Sequence, residues 1–266
     1  MTDSDTLATA TLRAPSAPDM LLSREHPLCP GCGHPVSIRL VLETIEELQL
    51  QQRTIGVFGH GCSALMITHL DVDMNLSLHG RAPATATGIK RMRPDRFVFT
   101  MQGDGDMINE GLAEIMHAAA RGENITCLLL NNGVFGDTGG QMTAGTVIGQ
   151  RSTSTLDGRN AEQHGYPIAL SKILAGMDGV SFVARTTVSD AAGVSRTKRL
   201  LKRAFEHQLA GHGFSLVEIL TMCPTGWVTA ASEGPGYLGE TLGHESEFGV
   251  LRDTWDPAAA GAAGSE

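Results

Sequence analysis

The chain has 266 residues, 32 of them glycine, with 41% hydrophobic and 18% charged residues. That balance excludes a disordered or collagen-like chain and is sufficient for a buried core. The net charge of -9 excludes a nucleic-acid-binding surface, which has to be basic. No apolar run approaches the roughly 20 residues of a bilayer-spanning helix, and the N-terminal stretch carries acids rather than a secretory leader, so the sequence reads as cytoplasmic, without a membrane. Disulfides are rare in such a compartment, which leaves the five cysteines as core residues, metal ligands or redox groups.

In chain order, residues 1–19 lack apolar periodicity and are expected to lie outside the packed domain. Cys29–Pro30–Gly31–Cys32 follows as a CxxC loop, directly before a helix whose apolar face is Ile38, Val41, Leu42, Ile45 and Leu48. Residues 53–59 predict a buried strand that ends in Gly59–His60–Gly61–Cys62–Ser63. His79 and Arg81 sit in an LHGR segment ahead of another helix start. Residues 96–102 predict a second strand, closed by Gly103–Asp104–Gly105–Asp106, and a helix from about Ile108 carries Leu112, Ile115, Met116 and Ala119 on one face. The strand at 125–130 ends in Asn131–Asn132–Gly133, and the loop at 136–141 is rich in glycine. Two further strands are predicted at 180–187 and 214–222, the latter running into Cys223, before an Ala/Gly tail at 256–266. Apolar strands alternating with amphipathic helices predict one doubly wound, mostly parallel α/β domain over 20–255. In such sheets ligands bind at the carboxyl ends of the strands.

Three of those ends are polar and glycine-rich. A Gly-Asp-Gly turn lets backbone approach a phosphate closely, and Asp104 adds a hard oxygen suited to a magnesium ion. The helix from about Ile108 would turn its positive end toward the same place. Asn132 follows Asp104 by 28 residues, one helix and one strand later, a separation expected to bring the two turns side by side. Its side-chain oxygen and the Val134 carbonyl complete a set of metal ligands. GDG followed at this distance by NN resembles the fingerprint of thiamine diphosphate enzymes, in the half that holds diphosphate and magnesium.

Cys29, Cys32, Cys62 and Cys223 all fall where one edge of the sheet is expected, a thiolate set suited to zinc or to an iron–sulfur cluster. A CxxC is also compatible with thiol–disulfide chemistry. Cys127 lies mid-strand and reads as core. His60 and His79 are either donors near a cofactor or caps, and Arg81 is a candidate phosphate or carboxylate contact.

The segments HPLCPGCGH, GHGCS, LHGRAPATATGIK, GDGDMINEGLAEIMHAAARGENIT, NNGVFGDTGGQM and EILTMCPTGW together resemble the β subunit of 2-oxoacid:ferredoxin oxidoreductases, over about residues 25–230. The resemblance implies a thiamine diphosphate-binding fold. It implies that Asp104, Asn132 and Val134 hold magnesium and that Cys29, Cys32, Cys62 and Cys223 hold a four-iron four-sulfur cluster. It assigns Gly61, Cys62, Ser63, His79, Gly103, Asp104, Gly105, Asp106, Asn132, Val134, Gly136 and Thr138 to the cofactor site. The implied activity is oxidative decarboxylation of a 2-oxoacid with coenzyme A, electrons passing through the cluster to ferredoxin. The TGGQM loop favours the 2-oxoglutarate or branched-chain multi-subunit types, although Gly139 stands where some relatives place a substrate-reading lysine. No catalytic residue is assigned to this chain, because the glutamate that activates the aminopyrimidine is expected from a partner α subunit, with γ and δ subunits as further candidate partners. A non-oxidative thiamine diphosphate decarboxylase or synthase half-subunit leaves the spaced cysteines unexplained; a zinc-stapled accessory subunit is the other alternative.

Overall fold

The computed structural model describes residues 16–244 and 247–255, so the expectations for 1–15 and 256–266 lie outside the described residues. The described chain starts ahead of the expected boundary at 20: Pro18 is buried, and its carbonyl accepts the Leu21 N–H.

In chain order the elements are α1 (His34–Glu47), β1 (Thr54–Phe58), a 3-10 stretch (Cys62–His69), β2 (Asp73–Leu76), α2 (Ala82–Met92) and β3 (Phe97–Gly103). A π-helical turn (Gly105–Glu110) leads into α3 (Leu112–Ala120), followed by β4 (Thr126–Asn131) and the small hairpin of β5 (Val134–Phe135) and β6 (Gln141–Met142). Then come α4 (Ala161–His164), α5 (Leu170–Ala175), β7 (Val180–Thr187), α6 (Ala191–Leu209), β8 (Phe214–Leu220), α7 (Pro224–Trp227), α8 (Gly234–Glu240) and β9 (Gly249–Asp253). The main sheet has the order β2-β1-β3-β4-β8-β7-β9, parallel throughout except for β9, which runs antiparallel to β7.

The mostly parallel, doubly wound sheet read from the sequence is therefore present, and the residues show why. Along β4, Leu128 and Leu130 enter one apolar cluster with Ile38, Leu42, Leu201 and Phe205 of α1 and α6. Cys127 and Leu129 enter the other, with Ala86, Ile115, Ala118 and Leu174 of α2, α3 and α5. Alternate side chains point to opposite faces of a strand. Both faces of β4 are apolar, so both need a helical cover. The helix expected from about Ile108 instead begins at Gly105, through the π-helical turn, so its start falls within the GDGD segment itself.

Gln208 of α6 shows how the ladder is completed. β4 pairs with β3 only from Phe99 onward. The Gln208 side chain accepts the Val98 N–H at 2.8 Å and donates to the Val98 carbonyl at 2.8 Å, standing in for a strand partner. Replacing it by alanine leaves two buried backbone groups unpaired, each worth about 1–3 kcal/mol. Gln208→Ala is expected to lower the free energy of unfolding by about 2–4 kcal/mol in urea titration; an unchanged midpoint would show that another group closes the ladder.

Candidate functional site

The carboxyl ends of β1, β2, β3 and β4 open on one cavity of about 180 Å³. It is lined by Gly61, Cys62 and Ser63 after β1, His79 after β2, Gly103–Asp104–Gly105–Asp106 at the end of β3, and Asn132, Val134, Gly136 and Thr138 after β4. Every residue that the resemblance assigned to the cofactor site thus borders a single space. His34, His60, Phe135 and Asp137 complete the wall. Pockets for drug-sized ligands run to about 300–1,000 Å³, so the cavity is smaller than a whole ligand of that size would need.

Asp104 is only 1% exposed. One carboxylate oxygen accepts the Thr143 hydroxyl at 2.5 Å and the other accepts the Asn132 backbone N–H at 3.3 Å. Burial pushes its pKa up to about 6, against the opposing pull of these hydrogen bonds and with a smaller contribution from Glu218. Among the described residues no cation pairs with it. A buried carboxylate with neutral donors alone is a costly arrangement that a divalent cation resolves. Asn132 Oδ1 accepts the Val134 N–H at 3.0 Å, which folds the Asn132 amide and the Val134 backbone into one tight turn beside Asp104. The helix start at Gly105 adds N–H groups without intrahelical partners, suited to phosphate oxygens. These residues fit a magnesium-bound diphosphate.

Asp106 behaves differently from Asp104. Its Oδ1 faces His79 Nδ1 at 2.7 Å and the Gly80 N–H at 2.8 Å, and its Oδ2 accepts Gln102 Nε2 at 2.5 Å. Its carboxyl is shifted up by burial, against these hydrogen bonds and the His79 charge. The second aspartate of the motif therefore organises the His79 turn. His60 Nδ1 lies 2.8 Å from the Ser77 carbonyl, and the two imidazoles stack with centroids 6.1 Å apart. Arg81, whose role the sequence left open, donates to the Glu110 carbonyl at 2.9 Å and pairs with the Glu114 carboxylate of α3, outside the cavity wall.

Cys29–Pro30–Gly31–Cys32 forms a tight turn, with the Cys32 N–H donating to the Cys29 carbonyl at 3.1 Å and Gly31 at φ +76°. Proline then glycine in the two central positions is the signature of a type II turn. The next residue locks that turn to the end of β8. Gly33 N–H donates to the Met222 carbonyl at 3.0 Å, and a Cβ at Gly33 would lie 2.8 Å from the Met222 nitrogen. Cys223 follows at once. A Cβ at Gly136 would lie 3.2 Å from Cys223 Sγ, 3.5 Å from Cys62 Sγ and 4.0 Å from Asn132 Nδ2. Two thiols and the Asn132 amide thus flank one residue that has no side chain.

Burial pushes the Cys32 and Cys62 thiols up to about 12 and Cys223 to about 11, with charge on the neighbouring cysteines adding to each. Cys62 and Cys223 meet at Gly136, and Gly33, next to Cys32, docks on Met222, next to Cys223, so these thiols lie at the same end of the sheet. Thiols so perturbed become thiolates only where positive charge is supplied, as a metal centre does. Tetrahedral zinc at about 2.3 Å from each sulfur would hold the sulfurs about 3.8 Å apart. Among the described residues no three His, Cys, Asp or Glu side chains gather as ligands of a single ion. Cys127 is fully buried in β4, as expected of a core residue.

Sequence reasoning missed His34, Phe135, Asp137 and Thr143. His34 is buried and neutral, its pKa lowered to about 4 by desolvation, with Nδ1 3.2 Å from Cys32 Sγ. Its position at the start of α1, just after the CxxC turn, was the available signal.

Residues 47–219 match the family model described as thiamine pyrophosphate enzyme, C-terminal TPP binding domain. The chain is 36% identical over 222 residues to ketoisovalerate oxidoreductase subunit VorA of Methanothermobacter thermautotrophicus, covering 84% of this chain and 46% of that protein. It is 34% identical over 197 residues to 2-oxoglutarate synthase subunit KorB of Archaeoglobus fulgidus, covering 74% of this chain and 69% of that protein. The solved 2-oxoglutarate:ferredoxin oxidoreductase from Magnetococcus marinus, with 2-oxoglutarate, coenzyme A and succinyl-CoA bound, superposes with a TM-score of 0.72 at 26% identity, covering 95% of this chain and 92% of that one. The chain spans about half the length of the VorA proteins it matches.

The raised pKa of Asp104 fixes a sign for stability. Its ordinary value is 3.8 and its folded value about 6. Its contribution is fully present below 3.8 and is lost as pH rises through about 6. Above that, the metal-free chain carries a penalty of about 3 kcal/mol at 1.36 kcal/mol per pKa unit. With a chelator present, Asp104→Asn is expected to be more stable than the parent by about 2–3 kcal/mol at pH 7.5 and nearly equal to it at pH 4. Denaturant unfolding at the two pH values measures this; equal stability at pH 7.5 would mean that Asp104 is not an uncompensated charge.

Proposed function

The chain belongs to the thiamine pyrophosphate-binding family, among the β subunits of 2-oxoacid:ferredoxin oxidoreductases, and we propose that it serves as the diphosphate- and cluster-binding subunit of such an enzyme. The proposed reaction is oxidative decarboxylation of a 2-oxoacid with coenzyme A to acyl-CoA and carbon dioxide, with electrons leaving through a four-iron four-sulfur cluster to ferredoxin. The observation that carries it is the meeting, around Gly136, of the Asp104–Asn132 turn and the thiols of Cys62 and Cys223.

Bound thiamine diphosphate supplies the electron sink for loss of carbon dioxide from the 2-oxoacid. Asp104, the Asn132 side chain and the Val134 carbonyl are the proposed magnesium ligands, and Gly103, Gly105 and the helix start at Gly105 the diphosphate contacts. Gly61, Ser63, Gly136 and Thr138 border the remaining cofactor surface. Asp106 holds the His79 imidazole by Nδ1, leaving its other ring nitrogen for the site. Cys29, Cys32, Cys62 and Cys223 are the proposed cluster ligands.

The cavity wall contains no glutamate among the described residues. We therefore place the pyrimidine-activating glutamate on a partner α subunit, with γ and δ subunits as further members of the assembly. The relatives name two substrate classes, 2-oxoglutarate and the branched-chain ketoisovalerate, and these are the favoured 2-oxoacids. Among the described residues no helix is long and apolar enough to cross a membrane. The proposed compartment is the cytoplasm, where the thiols stay reduced.

Co-expressed with its partner subunits and purified without air, the complex is expected to be brown, with iron and acid-labile sulfide in equal amounts, and to reduce a viologen dye given coenzyme A and 2-oxoglutarate or ketoisovalerate. A colourless complex holding zinc would overturn the redox assignment. Asp104→Ala is expected to weaken magnesium–thiamine diphosphate binding by more than ~100-fold in calorimetric titration while leaving the cluster absorbance intact. Retained cofactor affinity would remove Asp104 from the metal site.

A further inference from the structure

Trp227 joins two segments that lie far apart in sequence. It ends α7, whose first turn begins at Cys223, and its backbone N–H donates to the Cys223 carbonyl at 3.0 Å. Its indole is 6% exposed, and Nε1–H donates to the main-chain carbonyl of Asn132 at 2.9 Å. The same carbonyl accepts Gln150 Nε2–H at 3.2 Å. On the other side the indole packs against Tyr237 of α8, with ring centroids 4.7 Å apart. The ring therefore cannot swing away without leaving both partners.

Asn132 is also the residue whose backbone N–H reaches Asp104. One short turn of helix thus carries a thiol on the residue that caps its start and, at its last residue, the donor that fixes the turn beside Asp104. The spacing in this turn is tight as well. A Cβ at Gly226 would lie 2.8 Å from Cys223 Sγ and 3.1 Å from the Val134 side chain. Gly226 therefore leaves room between the Cys223 thiol and the Val134 side chain for no further group.

We propose that Trp227 is a positioning residue that couples the thiolate set to the Asp104–Asn132 turn, so that occupancy of one is felt at the other. This rests on the reading of the two sites as an iron–sulfur cluster and a magnesium–diphosphate site. The coupling runs through one N–H, because an indole is a donor only. Phenylalanine retains an apolar ring against Tyr237 and deletes that donor.

The test uses the complete complex, co-expressed and purified without air. Magnesium–thiamine diphosphate affinity is measured by calorimetry after cofactor removal, and the reduced cluster is recorded by electron paramagnetic resonance with and without the cofactor. In the parent, adding the cofactor is expected to alter the cluster signal. In Trp227→Phe, affinity is expected to fall about tenfold and the cofactor-induced change to disappear, with iron content retained. Gln150→Met removes the other donor to the same carbonyl; it is expected to weaken cofactor binding yet keep the change in signal. Benzothienylalanine at position 227, which keeps the indole shape without an N–H, reads the same bond if the phenylalanine variant does not fold. A variant without the N–H that binds the cofactor as tightly as the parent and shows the same spectral change would overturn the coupling. So would a parent cluster indifferent to the cofactor. A parent complex that holds no cluster or binds no thiamine diphosphate would overturn the assigned function itself.

Discussion

The carboxylate of Asp104 lies where water does not reach, and the groups that touch it are a hydroxyl and an amide, both neutral. Glu218, the next buried carboxylate behind it, adds repulsion. Glu218 is answered in full. Asn131 Nδ2 donates to it at 2.8 Å, the Ser171 hydroxyl bonds its other oxygen, and Arg185 Nε stands 3.4 Å away. Asn131 in turn accepts the Gly133 N–H at 3.0 Å, so the neutralised carboxylate braces the turn that carries Asn132. One buried acid is thus paired and used as scaffold, and the other has neutral donors alone. The strain of an unanswered charge is tolerated because everything around it is held by strands and side-chain bonds.

Register within the sheet does the rest of the positioning. Gly103 at the end of β3 stands opposite Leu130, and Asn131 at the end of β4 stands opposite Leu220. The Thr221 N–H continues the ladder to the Asn131 carbonyl at 2.9 Å. β4 and β8 end level and β3 one residue short of them, so the GDGD, NNG and MCP segments emerge side by side. A slip of a single residue in either pairing would turn every inward side chain to the wrong face, and the cavity and the thiol group would be lost together.

Much of this was legible because the informative residues are local. Apolar runs that stop at glycine and a polar residue announce strand ends, and Pro-Gly between two cysteines announces a turn. The two aspartates of GDGD were not separable, because they differ only in what the tertiary fold brings to them: Thr143 and Asn132 for Asp104, Gln102 and the His79 turn for Asp106. The role of Arg81 was open for the same reason, since a long side chain takes the partner within reach, and here that partner lies on α3. The edge strands β2 and β9 left little trace. Asp73–Leu76 is mostly exposed and Gly249–Asp253 is half polar, so neither carries the apolar pattern by which a central strand declares itself.

The type II turn at Cys29 lies near the start of the described chain and Cys223 near its end, with Cys62 between them. They come together only when β8 has entered the sheet beside β4 and Gly33 has met Met222. The four thiols therefore do not exist as a group in the nascent chain, nor in any intermediate that lacks the last parallel strand. Cys29, exposed where its partners are not, is the side from which a ligand would reach them. A group held by all four would tie the two ends of the domain together and would remove from the unfolded ensemble every state in which they are apart.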